Sequence, residues 1–178
     1  MNLEQKIQGR VAKVGVIGLG YVGLPLSLEF ARAGFEVLGI DIDSSRVKAL
    51  NRGKSHVLDI PDQEIKEQLT KGKFKATTSF DALPQLDCIS ICVPTPLRKT
   101  WNPDVSSIVK VTKNIKTHLR RGQLIVLEST VYPGATHELL LPILEKKGLK
   151  VGRDFFLAFS SERIDPGNKQ YNTRNIPK

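Results

Sequence analysis

Six residues near the start of the chain, Gly18-Leu19-Gly20-Tyr21-Val22-Gly23, have the types and spacing to hold a diphosphate. In a G-x-G-x-x-G run the first glycine permits a tight turn. The second lets the backbone approach a pyrophosphate, and the third lets the next helix pack on the preceding strand. That helix start offers unpaired N–H groups and the positive end of its dipole to the phosphates. A glycine-rich turn with no ligand is the plainer reading, and the context argues against it. An apolar strand, Lys13 to Ile17, leads into the motif. A second one, Phe35 to Ile40, ends in Asp41 about 20 residues past the glycines, where a ribose-binding carboxylate is expected. Asp41 would accept hydrogen bonds from the ribose and repel a 2′-phosphate, which favours NAD over NADP. Arg46 tempers this: it is either a cation for such a phosphate or an exposed helix charge.

These groups must be positioned by elements, and the chain alternates them regularly. Helices are expected over Tyr21 to Ala33, with Gly34 as the stop, over Ser45 to Asn51 behind a cap at Asp43 or Ser44, and over Pro61 to Leu69. A short strand follows at Lys73 to Thr77, then a buried one from Asp87 to Val93. Asp104 caps a helix over Val105 to Arg120, and Gln123 to Leu127 is the next strand. A helix over Thr136 to Lys147 contains Pro142, which predicts a kink or break. Phe155 to Phe159 is the last strand, and the rest is polar and loop-like. Such alternation predicts an α/β fold, a Rossmann-type doubly wound parallel sheet with helices on both faces. Right-handed crossovers then bring the strands' C-terminal ends to one edge. Asp41, Thr95, Glu128-Ser129-Thr130 and Ser160-Ser161-Glu162 all end strands, so they converge on one crevice with the glycines.

Composition bounds what the crevice serves. The chain has 178 residues, 40% hydrophobic and 25% charged, enough for one domain with its own core. No apolar run reaches the roughly 20 residues of a membrane span, and Met1 to Lys6 lacks a signal-peptide core, so a cytoplasmic location without membrane association is expected. The net charge of +9 is scattered, and only 6% of residues are aromatic. Lys110, Lys113 and Lys116 recur at helical spacing as one solvated face. This favours solvation and attraction of a phosphate-bearing substrate over nucleic-acid binding. Cys88 and Cys92 lie on one face of a strand, too far apart for a disulfide, and as buried thiols are expected to be inert. His56, His118 and His137 fall away from the strand ends, without metal-ligand spacing, and read as surface or packing residues. Trp101 either covers a nucleotide or caps the sheet edge.

Several segments together resemble the UDP-glucose/GDP-mannose dehydrogenase family. They are Gly18 to Leu26, Val93-Pro94-Thr95-Pro96, Glu128 to Gly134 and Phe159-Ser160-Ser161-Glu162-Arg163. Glu138 to Glu145 and Arg163 to Asn168 are similar to the branch that acts on UDP-N-acetylglucosamine in surface-polysaccharide synthesis. The resemblance implies oxidation of a sugar C6 alcohol to a carboxylate with two NAD⁺, through an aldehyde and a cysteine-bound thioester. It implies a UDP-sugar partner and a homodimeric full-length protein. It implies that Gly18, Gly20, Tyr21, Val22, Gly23, Asp41, Arg46, Thr95, Ser129 and Thr130 touch NAD. Thr130 would also help hold a catalytic water, and Glu162 would aid proton transfer or water activation near C6. Ser161 stands where the family often has proline, which loosens the loop presenting Glu162. The family's nucleophilic cysteine and catalytic lysine lie beyond the matched region, so residues 1–178 are expected to be an N-terminal NAD-binding domain, inactive by itself.

Overall fold

The computed structural model describes residues 1–97, 103–145, 148–163, 173 and 175. Its elements run α1 (Leu3–Gln8), β1 (Lys13–Ile17), α2 (Gly23–Arg32), β2 (Glu36–Ile40), α3 (Ser44–Asn51), α4 (Asp62–Thr70) and β3 (Phe74–Thr77). They continue with β4 (Cys88–Ile91), α5 (Ser106–His118), β5 (Leu124–Leu127), α6 (Leu141–Leu144) and β6 (Phe156–Phe159). The six strands form one all-parallel sheet in the order β3-β2-β1-β4-β5-β6. The expected α/β doubly wound sheet is therefore the observed one. The order reverses between β1 and β4, and a crevice opens there at the strands' C-terminal ends.

Two apolar layers sandwich the sheet. On one face Ile89, Ile91, Ile125 and Leu127 meet Ile108, Val111 and Ile115 of α5, with Leu140, Leu144 and Phe155. The spacing of the α5 residues makes the apolar stripe that buries this helix. On the other face Val14, Val16 and Val37 meet Leu24, Leu28 and Ala31 of α2, Val47 and Leu50 of α3, and Ile65 of α4. Cys92 is buried in that second layer and Cys88 packs against it, so the two thiols share one face as the strand period requires.

Local chemistry sets the element ends. Asp43 caps α3 by accepting from the Ser45 and Arg46 amides at 2.9 and 3.1 Å. The strand expected over Asp87 to Val93 narrows to Cys88–Ile91, although Cys92 still donates to the Ile17 carbonyl at 2.8 Å. The helix expected over Tyr21 to Ala33 begins only at Gly23, because Tyr21 and Val22 belong to the turn. Pro142 has the expected effect: Thr136–Leu140 widens into a π-turn, and a regular α-turn resumes at Leu141. A proline ring collides with the carbonyl four residues back, and widening the coil relieves that. One helix, α1, precedes the alternation expected from the sequence. It starts with a capping box between Asn2 and Gln5 and has no buried residue. No described helix is long and apolar enough to cross a membrane.

Candidate functional site

The crevice is a cavity of about 410 Å³ at the C-terminal edge of the sheet. Its floor is the glycine turn. Gly18 takes φ +94°, and a Cβ there would sit 2.6 Å from the Cys92 carbonyl oxygen. A Cβ on Gly23 would overlap the Gly18 carbonyl oxygen, so α2 can approach β1 only with glycine at that position. Gly20 differs, because a Cβ there would meet nothing within 4 Å. Neither the turn's fold nor its neighbours demand that glycine, and the space beside it is open to a ligand. Among the described residues, the Gly20, Tyr21 and Val22 amides have no hydrogen-bond partner. Val22 begins α2 without a side-chain cap. A run of free N–H groups at the start of a ten-residue helix suits an anion.

Asp41 lies on the same rim, 5% exposed. Its Oδ2 accepts from the Leu19 amide at 2.8 Å and from Arg46 Nη1 at 2.8 Å, and its Oδ1 accepts from the Asp43 amide at 3.0 Å. Arg46 is thus neither a free phosphate receptor nor a bare helix charge. It is paired to Asp41 while still lining the cavity. A carboxylate has about four acceptor positions, so Asp41 keeps capacity for a ribose hydroxyl after these three bonds.

The ends of β4 and β5 form the opposite half. The Thr95 hydroxyl donates to the Thr130 carbonyl at 2.8 Å, and the Ser129 hydroxyl donates to the Val93 carbonyl at 2.7 Å. Each of these hydroxyls has committed its one proton to tying the loops together and can only accept from a ligand. Thr130 is exposed, and its hydroxyl has no partner among the described residues. Glu128, buried, and Glu162, half-buried, line the same cavity. Glu162 Oε1 accepts from the Arg163 amide at 2.6 Å. Of the expected site residues, Gly18, Gly20, Tyr21, Val22, Asp41, Arg46, Thr95, Ser129, Thr130 and Glu162 line the cavity, and Gly23 supports it from beneath.

Some residues escaped the sequence reading. Lys110 lines the cavity as well as belonging to the solvated face of α5, and Ile42 and Phe80 form an apolar wall beside Asp41. Ile42 is 81% exposed at the cavity's edge, so its side chain is accessible to a ligand. His56 was expected to lie away from the strand ends. Instead its Nε2 meets the Leu19 carbonyl at 2.7 Å, inside the glycine turn. No motif signals this, because His56 reaches the turn from a loop 37 residues on. Trp101 and most of Arg163 to Asn168 lie outside the described residues. No group of three His, Cys, Asp or Glu among the described residues is arranged to hold a metal ion. The Cys88 thiol is pushed up to about 11, first by burial and then by the neighbouring Asp87 charge.

Comparison with known proteins fits this geometry. The family model described as "UDP-glucose/GDP-mannose dehydrogenase family, NAD binding domain" matches residues 12–178. UDP-N-acetyl-D-glucosamine 6-dehydrogenase of Pseudomonas aeruginosa is 40% identical over 167 residues, which cover 93% of this chain and 39% of that protein. The solved structure of the UDP-D-ManNAc dehydrogenase of Pyrococcus horikoshii superposes with a TM-score of 0.83 at 38% identity, over 87% of this chain and 37% of that one. A ternary complex of GDP-mannose dehydrogenase from Pseudomonas aeruginosa superposes with a TM-score of 0.82 at 30% identity, over 86% and 36%. The chain therefore spans about two fifths of the curated relatives it matches.

Proposed function

The chain belongs to the UDP-glucose/GDP-mannose dehydrogenase family as an NAD-binding domain, and from that premise we propose that it serves oxidation of the C6 alcohol of UDP-N-acetylglucosamine to the uronate. The carrying observation is the union of two features on one rim. Gly20, Tyr21 and Val22, whose amides have no partner among the described residues, line the cavity, and Asp41 is hydrogen-bonded directly into the same turn. The relative at 40% identity, named for UDP-N-acetylglucosamine, supports the choice of sugar.

In this reading NAD⁺ supplies the hydride acceptor. The turn's amides hold its diphosphate, Asp41 holds the adenosine ribose, and Ile42 and Phe80 cover the adenine. Gly18 and Gly23 shape the turn, and the Asp41–Arg46 pair leaves little unpaired positive charge for a 2′-phosphate. Thr95, Ser129 and Thr130 flank the nicotinamide half. The Thr130 hydroxyl donates to substrate or to a water, and Glu162 accepts a proton as the alcohol is oxidised. Neither cysteine presents a free thiol to a substrate: Cys92 borders the cavity only from beneath the glycine turn, 8% exposed. Cys88 packs beneath the sheet with a raised thiol, and Cys92 is buried where β4 ends. Residues 1–178 are therefore proposed to bind NAD⁺ but not to complete the four-electron oxidation.

Isothermal titration tests the cofactor half. Saturable NAD⁺ binding and weaker NADP⁺ binding are expected, and no saturation at millimolar NAD⁺ would overturn the reading. Adding UDP-N-acetylglucosamine should yield no sustained NADH absorbance from these residues alone. Comparing UDP-N-acetylglucosamine, UDP-N-acetylmannosamine and GDP-mannose with a full-length protein carrying this domain assigns the sugar. A preference for either of the latter two would reject the proposed one.

A further inference from the structure

We propose that His56 is a positioning residue for the phosphate-binding turn, holding the Leu19 carbonyl so that the Gly20 N–H is aimed into the crevice. The inference deepens the reading of the crevice as an NAD site and rests on it. A carbonyl can only accept, so His56 Nε2 carries the proton in the 2.7 Å contact with Leu19. No peptide bond among the described residues is cis. In a planar trans peptide the C=O and the following N–H point in opposite directions. Fixing the Leu19 oxygen on His56 therefore turns the Gly20 N–H to the far side of that peptide. Gly20 lines the cavity and His56 does not.

Leu19 is held at its other handles too. Its side chain is fully buried in the second apolar layer, and its amide donates to Asp41 Oδ2 at 2.8 Å. Asp41 thus sets the peptide before Leu19, and His56 sets the peptide after it. The loop that carries His56 is itself anchored. Ser55 N and Lys54 Nζ both donate to Asp62 at 2.8 Å, and Val57 and Ile60 pack against the second apolar layer. An exposed histidine on a pinned loop can therefore act as a fixed strut without contributing to the core.

The test is isothermal titration of the wild-type chain, His56→Ala and His56→Gln with NAD⁺, ADP-ribose and adenosine. His56→Ala should weaken NAD⁺ and ADP-ribose about three- to tenfold, the weight of one neutral hydrogen bond. Adenosine, which has no phosphate, should bind as before. His56→Gln, with an amide N–H of similar reach, should recover most of the loss. In the ligand-free protein the Gly20 amide resonance should move in His56→Ala and return toward its original position in His56→Gln. Wild-type NAD⁺ affinity in His56→Ala would overturn the inference alone. So would an equal loss for adenosine, which would mark general loosening. A wild-type chain that fails to bind NAD⁺ would instead remove the underlying reading, and the inference with it.

Discussion

At the scale of single residues the three glycines of the turn are not equivalent, and substitution should separate them. Gly23 is required by the fold, since a Cβ would overlap the Gly18 carbonyl oxygen, which is backbone and cannot swing aside. Gly20 is required only by a ligand, since its Cβ would meet open space. Gly20→Ala should therefore leave the thermal midpoint near wild type while weakening NAD⁺ at least tenfold, because the methyl takes the place of the diphosphate. Gly23→Ala should lower the midpoint and the affinity together. Thermal melts paired with NAD⁺ titration check both, and equal losses of stability in the two variants would contradict this division. The motif's spacing was legible in the sequence. Which glycine serves folding and which serves binding was not, because that depends on what the chain folds back beside each one.

At the scale of elements, one buried carboxylate joins four of them. Asp87, 4% exposed at the start of β4, accepts from Lys6 of α1 at 2.7 Å, from the Lys13 amide of β1 at 3.0 Å, and from Arg120 just past α5 at 2.9 Å. Burial pushes its carboxyl upward, but the hydrogen bonds from Lys6, the Lys13 amide and Arg120 outweigh that and leave it below the usual carboxylate range. A group depressed in the folded state stabilises fully above its unfolded value of about 3.9 and loses that contribution as pH falls through the folded value. Asp87→Asn should therefore be less stable than wild type at pH 7. Its stability should also fall less steeply below about pH 4. Urea unfolding at several pH values reads both slopes. The junction explains how α1 is held against the sheet. The helix buries no residue of its own and is held by a partner 81 positions away. Pro142 is the opposite case, a local rule strong enough to act in any context. The sequence could place the interruption but not specify its π form.

At the scale of the whole molecule, the sheet is a partition between two apolar layers, and its integrity can be read through one thiol. Cys88 is held beneath the sheet with its thiol raised to about 11, so it should resist alkylation at pH 7 to 8 while the chain is folded. It should be modified when the sheet opens. Peptide mapping after alkylation along a urea series should give a Cys88 transition that coincides with the loss of far-ultraviolet circular dichroism. Rapid modification of native Cys88 would show that the layer is open. Phe155, fully buried where the chain enters β6, anchors the other layer. Phe155→Ala should cost about 3–5 kcal/mol of unfolding free energy.

By itself the sequence determined the succession of strands and helices from β1 onward, the glycine turn, the acid that ends β2 and the edge on which the strand ends meet. All of these follow from short-range rules: side-chain period, turn stereochemistry and the handedness of crossovers. Only the tertiary structure decided how the acceptors and donors are shared. It committed Arg46 to Asp41, and it tied the Thr95 and Ser129 hydroxyls across neighbouring loops while leaving Thr130 available. It also brought His56 to the Leu19 carbonyl. Apart from the Arg46–Asp41 pair, these hydrogen bonds join residues tens of positions apart, which have no period in a sequence and meet only once the two apolar layers have fixed the distances.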